Sequence, residues 1–265
     1  MTISLSGTAL AAAAIRAGIT GTPARLAIVT ATTDEATAWY VRSISAAAAK
    51  VGISCEVVET KDVAGTLSEL GNDIHGIILA TPVPGEVPAA EFAMGIPPTK
   101  DVDGANPVSL GRLAAGLPAF APATAEAVVR LLEHHHIEIA GRRAMIVGRS
   151  TVVGKPLAHL LLNRHATVTV AHSRTPDLAA VTREADILIA AAGRAGLIGP
   201  DHVRPGAVVI DVGTNPTADG GLVGDVDPAV ADRAGALSPV PGGVGPVTTA
   251  LLLSHTVDAA RTAAH

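Results

Sequence analysis

The sequence of 265 residues contains one cysteine, Cys55, and an internal disulfide bond needs two. Stable disulfides belong mainly to oxidising compartments, so the lone cysteine favours a reducing one, and we expect a cytoplasmic protein. Long apolar runs are also missing, which argues against a membrane-spanning helix. Basic residues do not dominate, since 19 Lys and Arg stand against 24 Asp and Glu, and the net charge of −5 argues against a nucleic-acid-binding surface.

Aromatic residues make up only 2% of the chain, although 48% of its residues are hydrophobic. The chain can therefore bury a sizeable core, which has to be aliphatic, and its length suggests two domains or one large one. The alanine-rich stretch at the N-terminus differs from a secretory signal, because its basic residue, Arg16, follows the apolar run instead of preceding it. We predict an amphipathic helix there, with a targeting segment as the less favoured alternative.

Two series of strands and helices can be read along the chain. The first alternates three apolar strands with two helices, over residues 26–32, 34–51, 54–59, 63–70 and 76–82. The second begins with a strand at Arg143, includes a strand at 207–213, and ends with a helix from about Thr248. Strands that alternate with helices predict parallel sheets covered on both faces, which is an α/β fold.

The segment Pro82–Pro122, between the two series, is rich in proline and glycine. Long irregular segments in compact domains are often functional, so we expect this one to contribute to the site. A helix is predicted after it, from about Thr124 to His135. Three adjacent histidines at 134–136 end that helix, but they point in different directions, and no partner cysteine or spaced carboxylate supports zinc. We therefore predict no metal site.

A glycine-containing turn, Gly148 to Gly154, lies between a predicted strand and a predicted helix. Backbone N–H groups in such a turn, together with the positive end of the helix dipole, can cradle a phosphate. The pattern is G-x-S-x-x-x-G and not G-x-G-x-x-G, so the strand–turn–helix context carries the prediction, and an ordinary turn is the alternative. We expect the two glycines, with Arg149, Ser150 and Val153, to contact a nucleotide cofactor.

The end of the next strand distinguishes NADP from NAD. An NAD site usually has an Asp or Glu there for the ribose hydroxyls, whereas residues 171–175 contain no acid. Ser173, Arg174 and Arg149 can supply the hydroxyl and the cations that a 2′-phosphate needs. We therefore predict NADP as the cofactor, although Arg174 could instead be a solvated loop residue.

Five motifs follow one another along the chain: K-D-V-D-G (100–104), G-R-S-T-V-V-G-K-P (148–156), V-I-D-V-G (209–213), V-G-D-V (223–226) and P-V-P-G-G-V-G-P-V-T (239–248). In order and spacing they resemble the bifunctional methylenetetrahydrofolate dehydrogenase/cyclohydrolase family, and the resemblance covers nearly the whole chain from Leu26 onward. It implies an α/β protein with a cleft between two domains. A folate-binding catalytic domain would comprise residues 1–122 and 248–265, and an NADP-binding Rossmann-like domain with a parallel sheet would comprise residues 123–247.

The resemblance also implies catalytic residues. Tyr40 matches the family's tyrosine, and Asp103 matches its folate-binding aspartate, with a plain turn-forming role as the alternative for Asp103. The family's lysine, one helical turn after the tyrosine, is replaced by Ile44. Its glutamine is replaced by Ala80. Both members of the proton-handling pair are therefore missing from this chain.

Further contacts and partners are implied in the same way. Thr214 is expected to contact the cofactor, and Pro241, Gly242 and Gly243 are expected to contact the substrate, because glycines let the backbone approach a ligand closely. A tetrahydrofolate-type small molecule is the expected substrate. The resemblance also implies a homodimer.

The double replacement has a chemical consequence. Losing the lysine alone would leave the glutamine unsatisfied, at a cost of about 1–3 kcal/mol, whereas losing both leaves a coherent apolar patch. Opening a methenyl bridge with water needs general acid–base help, but hydride transfer needs mainly orientation. We therefore expect an NADP-dependent dehydrogenase in which cyclohydrolase activity is lost or weak. Two alternatives stay open: a repurposed member using redox or cyclic iminium chemistry in specialised metabolism, and a non-catalytic binding protein.

Overall fold

The computed structural model describes residues 2–18 and 22–264. The chain divides into two units. The six-stranded unit comprises Met1–Leu10 and Thr124–Thr248, and the three-stranded unit comprises Ala11–Ala123 and Thr249–His265. Over the described ranges, no helix combines the length and the apolar character that a bilayer-spanning segment requires.

Strands and helices alternate through most of the chain. The strands are β1 (Ile3–Ser4), β2 (Arg25–Thr30), β3 (Ser54–Glu59), β4 (Gly76–Leu79), β5 (Arg143–Val147), β6 (Thr167–Ala171), β7 (Ile187–Ala190), β8 (Val208–Asp211), β9 (Asn215–Pro216), β10 (Leu222–Val223) and β11 (Ala236–Leu237). The α-helices are α1 (Thr8–Gly18), α2 (Glu35–Lys50), α3 (Val63–Glu69), α4 (Ala89–Ala93), α5 (Pro107–Ala114), α6 (Ala123–His134), α7 (Gly154–Leu162), α8 (Leu178–Thr182) and α9 (Val244–Ala263). This order confirms the predicted α/β fold.

In the three-stranded unit, a parallel sheet has the strand order β3-β2-β4. The central strand β2 is apolar from Leu26 to Val29 and fully buried there, as expected for a parallel strand that is covered on both faces. Asp34 starts α2 by accepting a hydrogen bond of 2.8 Å from the backbone N–H of Thr37. The buried residues of α2 recur every three or four positions and are Thr37, Val41, Ile44 and Ala48.

The segment Pro82–Pro122 is more ordered than its composition indicates, because it contains α4 and α5. Asn106 begins α5 by accepting a hydrogen bond from the Val108 N–H at 2.7 Å, and its amide group donates to the Ile96 carbonyl at 2.7 Å. Pro107 occupies the first helical position, where its missing N–H costs nothing. Capping residues thus support a short helix inside a stretch that reads as irregular.

In the six-stranded unit, a second parallel sheet has the order β1-β11-β8-β7-β5-β6. Its strands β5 and β7 are paired on both sides, and their residues from Ala144 to Val147 and from Ile187 to Ala190 are buried and apolar. A core of Val, Leu, Ile, Ala and Met side chains fills the space against these strands. The aliphatic core that the composition predicts is therefore present here.

The N-terminal ten residues differ from the predicted domain division. They lie with the six-stranded unit and not with the unit that contains Tyr40. Three backbone N–H groups, of Ile3, Leu5 and Gly7, donate to carbonyls of residues 235, 237 and 242, each at 2.9 Å. The partners are more than 230 residues away along the chain, so no local pattern could indicate this pairing.

Candidate functional site

Tyr40 and Ile44 are one helical turn apart on α2. The side chain of Ile44 is fully buried, and Tyr40 is half-buried. Burial raises the pKa of the Tyr40 hydroxyl well above its usual value near 10, and the charge of Asp103 raises it further. The hydroxyl therefore keeps its proton at neutral pH, so it can donate a hydrogen bond but is a poor base.

Ala80 follows the last residue of β4 and is 2% exposed. Its backbone N–H donates to the Val29 carbonyl at 2.8 Å, which extends the sheet by one residue beyond the strand. The next carbonyl, of Thr81, accepts a hydrogen bond from the Thr37 hydroxyl of α2 at 2.9 Å. The two positions where the family's lysine and glutamine are expected are thus apolar and buried in the same unit.

The two aspartates of K-D-V-D-G have different surroundings. Asp101 is completely buried, and its carboxylate accepts hydrogen bonds from the backbone N–H groups of Ala105 at 2.9 Å and Asn106 at 3.0 Å. Asp103 is half-buried and accepts one from the Ala123 N–H at 3.2 Å. Asp101 thus holds the turn together, and the carboxylate of Asp103 retains acceptor capacity for a ligand.

The glycine of K-D-V-D-G, Gly104, is required by the conformation and the packing of the turn. Its φ is +59°, and an added Cβ would lie 2.6 Å from both the Phe120 carbonyl oxygen and the Pro122 nitrogen. A larger residue would force the turn away from the segment before α6, and the bond between Ala123 and Asp103 would break.

The pKa of Asp103 is raised to about 6. Burial is the main cause, and the neighbouring charge of Asp101 adds to it, whereas the Ala123 N–H and the charge of His255 act in the opposite direction. At neutral pH the carboxylate is therefore ionised, but it holds a proton a little below that. A carboxyl with a raised pKa that acts on a half-buried tyrosine is the arrangement expected of a binding or catalytic site.

In the six-stranded unit, the turn from Gly148 to Gly154 links β5 to α7. An added Cβ on Gly148, whose φ is +139°, would collide with the Ala191 carbonyl, and one on Gly154 would collide with the Gly148 carbonyl. The Ser150 hydroxyl accepts a hydrogen bond from the Val153 N–H at 3.1 Å. The turn is thus closed so tightly that only glycine fits at its two ends, as a phosphate cradle requires.

The residues predicted to select NADP lie at one edge of the same sheet. Val147 of β5 pairs with Ala171 of β6, so Arg149 and Ser173, each two residues further on, follow neighbouring strand ends. Arg149, Ser150, Ser173, Arg174 and Thr214 are all exposed. A β-turn closed by the Thr175 N–H and the His172 carbonyl at 2.8 Å presents Ser173 and Arg174, and residues 171–175 include no acid.

The P-G-G segment is held by the N-terminal residues of the same unit. Val240–Pro241 is a cis peptide bond, and Gly242 has a φ of +106°. The Gly242 carbonyl accepts a hydrogen bond from the Gly7 N–H at 2.9 Å, and an added Cβ on Gly243 would lie 2.6 Å from the Pro239 carbonyl oxygen. Gly243 is thus required by close packing of the backbone and Gly242 by its positive φ, and Pro241 is exposed.

Two aspartates that the sequence analysis did not single out organise the loops after β7 and β8. Asp225 accepts hydrogen bonds from the N–H groups of Ala192, Gly193 and Arg194 at 2.6–2.9 Å. Asp211 accepts from those of Gly213, Asp225 and Val226 at 2.9–3.0 Å. The motifs V-I-D-V-G and V-G-D-V contain them, but only the fold shows that they shape the loops beside the glycine turn.

A metal site has no support among the residues that the structure describes, where no group of three His, Cys, Asp or Glu side chains could hold an ion. His134 and His135 meet edge to face, with ring centroids 5.0 Å apart. The ring of His135 also lies 3.0 Å from the Ser6 carbonyl oxygen, whereas His134 and His136 are exposed.

The chain matches two family profiles. Residues 5–103 match the catalytic domain of tetrahydrofolate dehydrogenase/cyclohydrolase, and residues 122–264 match the NAD(P)-binding domain of the same family. A protein from Rhodococcus jostii named bifunctional protein FolD 1 is 63% identical over 251 residues, which cover 91% of this chain and 84% of that protein.

Solved structures agree with these profiles. A bifunctional methylenetetrahydrofolate dehydrogenase/cyclohydrolase from Campylobacter jejuni superposes with a TM-score of 0.91 at 36% identity, covering 99% of each chain. The corresponding enzyme from Trypanosoma brucei, solved with NADP and an inhibitor, superposes with a TM-score of 0.91 at 35% identity, covering 100% of this chain and 99% of that one. The chain therefore belongs to the tetrahydrofolate dehydrogenase/cyclohydrolase family.

Proposed function

We propose that the protein oxidises methylenetetrahydrofolate to methenyltetrahydrofolate with NADP, and that it hydrolyses the methenyl product weakly or not at all. Family membership supports the oxidation. The observation that carries the second half is the burial of Ile44 and Ala80 at the two positions of the family's proton-handling pair. Neither side chain has an atom that can donate or accept a proton.

The oxidation makes little demand on those two positions. A hydride leaves the carbon that bridges two folate nitrogens, and the bridge becomes a cation with a C=N double bond. When bound, NADP supplies the nicotinamide ring that accepts the hydride. Because this step depends mainly on the orientation of donor and acceptor carbons, apolar side chains at 44 and 80 are compatible with it.

Hydrolysis makes a larger demand. Water must add to the bridging carbon and lose a proton, and a ring nitrogen must gain one as its C–N bond breaks, so proton transfer needs a positioned acid and base. Tyr40 is a poor base, because its raised pKa keeps its hydroxyl protonated, and the carboxylate of Asp103 is engaged by the pterin in the binding mode proposed below. We therefore expect the methenyl product to accumulate.

For the substrate, we propose that Asp103 accepts hydrogen bonds from the amino-pyrimidine edge of the pterin. Its carboxylate is ionised at neutral pH and is held by the Ala123 N–H in one orientation. Charge-assisted bonds of this kind are stronger than neutral ones. Tyr40 contributes a hydroxyl donor from α2, and the backbone of Pro241, Gly242 and Gly243 contributes further contacts.

For the cofactor, we propose that the pyrophosphate of NADP lies on the glycine turn, which fits because its closed backbone has no room for side chains at Gly148 and Gly154. Arg149, Ser150 and Val153 are the remaining contacts of the turn. Ser173 and Arg174 then bind the 2′-phosphate, and Thr214 contacts the cofactor from the loop after β8. The six-stranded unit would thus bind NADP, and Tyr40 and Asp103 of the three-stranded unit would bind the folate.

An absorbance assay with methylenetetrahydrofolate and NADP tests both halves. We expect the methenyl product and NADPH to form together, with no rapid decay of the methenyl absorbance beyond its spontaneous hydrolysis. Fast conversion to the formyl product would contradict the proposed loss of hydrolysis. Absence of NADPH formation with methylenetetrahydrofolate would contradict the proposed dehydrogenase.

The double variant Ile44→Lys with Ala80→Gln tests whether the two positions are the cause. Restoring the pair should accelerate hydrolysis of the methenyl compound if the rest of the site is unchanged. The matched control is Ile44→Met with Ala80→Val, which alters volume but adds no proton-handling atom. Equal hydrolysis rates in the two double variants would show that the missing pair does not set the rate.

A second candidate function is the reduction or rearrangement of a different small molecule. The observation that favours it is the apolar character of both positions, because Ile44 and Ala80 stand where the family has polar side chains that suit a folate. Titration of the protein with tetrahydrofolate and with NADP separates the two candidates. Binding of NADP without binding of folates would favour the second.

We further propose that the protein works as a homodimer in the cytoplasm. Family resemblance supports the dimer, and the free thiol of Cys55, whose pKa is raised by burial, suits a reducing compartment. Sedimentation equilibrium at micromolar concentration tests the dimer, since a single monomeric mass would contradict it.

A further inference from the structure

His255 of α9 has a fixed position directly behind the turn of Asp103. The histidine is 8% exposed, and its Nδ1 atom lies 2.8 Å from the Val102 carbonyl oxygen. Because a carbonyl oxygen can only accept, Nδ1 carries the hydrogen of this bond. The ring also packs on Phe120, with centroids 5.0 Å apart and planes tilted by 36°. These two contacts define both the place and the orientation of the imidazole.

Both contacts bear on Asp103. Val102 precedes it in the chain, so the bond to its carbonyl restrains the peptide that leads into the aspartate. Phe120 belongs to the segment that packs against Gly104 and leads to Ala123, whose N–H donates to the Asp103 carboxylate at 3.2 Å. One side chain thus contacts the turn directly through Val102 and indirectly through Phe120.

We propose that His255 is a positioning residue for Asp103: its ring holds the Val102 carbonyl and packs on Phe120, and it thereby keeps in place the turn whose carboxylate binds the pterin. The pterin-binding role of Asp103 is part of the proposed function, so this inference rests on it. His255 itself need not touch the substrate.

The charges around Asp103 show why this support matters. Asp101 from its own turn and His255 from α9 act on the pKa of Asp103, and the charge of Asp103 acts in turn on Tyr40 of α2. Asp101 raises the pKa of Asp103, and the burial of the carboxyl raises it more. His255 lowers that pKa, so it opposes the tendency of the buried site to protonate the aspartate.

Two variants separate the effect of the charge of His255 from the effect of its packing, and a third variant is the control. His255→Asn keeps a donor near the Nδ1 position and removes the charge, His255→Phe removes both, and His134→Asn removes an exposed histidine at the end of α6 as the matched control. The primary measurement is the titration midpoint of the Asp103 carboxyl carbon. It is recorded by carbon NMR on protein with labelled aspartate, and the signal is assigned by its absence in Asp103→Asn. This measurement requires no catalytic activity.

We expect the midpoint to move to higher pH in His255→Asn and not to move in His134→Asn. In the dehydrogenase assay, the KM for the folate should rise about twofold at pH 6 in His255→Asn and stay unchanged at pH 8.5, because only ionisation of Asp103 differs. An unchanged midpoint in His255→Asn would overturn the inference, even if His255→Phe unfolds. Absence of dehydrogenase activity in the parent protein would overturn the proposed function, while the NMR titration would still decide the role of His255.

Discussion

The glycine turn of the six-stranded unit and the α2 face of the three-stranded unit hold their proposed ligands by different means. The turn works through backbone atoms, and its ends accept only glycine because the Ala191 and Gly148 carbonyls occupy the space of a Cβ. The α2 face works through side chains that project from a regular helix. A helix keeps its backbone when a lysine becomes Ile44, so chemistry carried by side chains can be lost without disturbing the fold.

The largest effect is expected from a substitution in the backbone-built glycine turn. Gly148→Ala should weaken NADP binding about 100-fold or more, because its Cβ would collide with the Ala191 carbonyl and displace the turn by a sizeable fraction of an ångström. Isothermal titration with NADP measures it. Gly199→Ala, in the same unit but with open space around the added Cβ, is the control. Equal affinities would show that the turn does not contact the cofactor.

The next prediction concerns protein stability when the side chains at positions 44 and 80 are replaced. Ile44→Lys alone should destabilise the protein by about 3–5 kcal/mol, because it buries a cation without a partner. Adding Ala80→Gln should recover part of that loss by supplying a hydrogen-bonding group. Urea unfolding of the four proteins in the double-mutant cycle measures the coupling. Strictly additive effects would mean that the two positions do not interact.

Asp103→Asn should lower kcat/KM for methylenetetrahydrofolate by about 10- to 100-fold, as expected when a charge-assisted hydrogen bond is lost.

The same change should raise the free energy of unfolding. The folded carboxyl binds its proton up to a pKa of about 6, whereas the usual value is 3.8, so the wild type loses stability as pH rises from 4 to 6. The asparagine variant should be more stable by about 1–3 kcal/mol at pH 8 and equal at pH 3. If Asp103→Asn kept both the wild-type kcat/KM and the wild-type pH dependence of stability, Asp103 would not belong to the site.

The smallest effect is expected on the preference for NADP over NAD. Arg174→Ala should reduce the preference for NADP over NAD about tenfold, because one exposed cation would no longer meet the 2′-phosphate. The ratio of the two kcat/KM values is the measurement. Arg183→Ala, another exposed arginine of the same unit, should leave it unchanged. An unchanged ratio for Arg174→Ala as well would identify Arg174 as a solvated loop residue.

Local patterns predicted the elements with strong apolar periodicity and missed those without it. The strands around Leu26 and Gly76 were predicted because buried parallel strands are nearly continuous aliphatic runs. The helices α4 and α5 were missed because they are short and lie among prolines and glycines. The domain boundary at the N-terminus differed because the two residues of β1 have no period, and their partners are far away in the chain.

The candidate site was predictable in the same uneven way. Tyr40, Asp103 and the glycine turn carry motifs, so sequence alone could point to them, and the structure describes where each lies. Asp225 could not be assigned a role, because its importance lies in three N–H groups more than 30 residues earlier in the chain. His255 was invisible for the same reason, since its partner Val102 is separated from it by 153 residues.

The two-residue strand β1 has a consequence for handling the protein. Without it, β11 would present unpaired N–H and C=O groups along the rim of the six-stranded sheet, and such a rim invites pairing with another chain. Truncations that remove Ile3 and Ser4 should therefore promote aggregation, and affinity tags are safer at the other end of the chain.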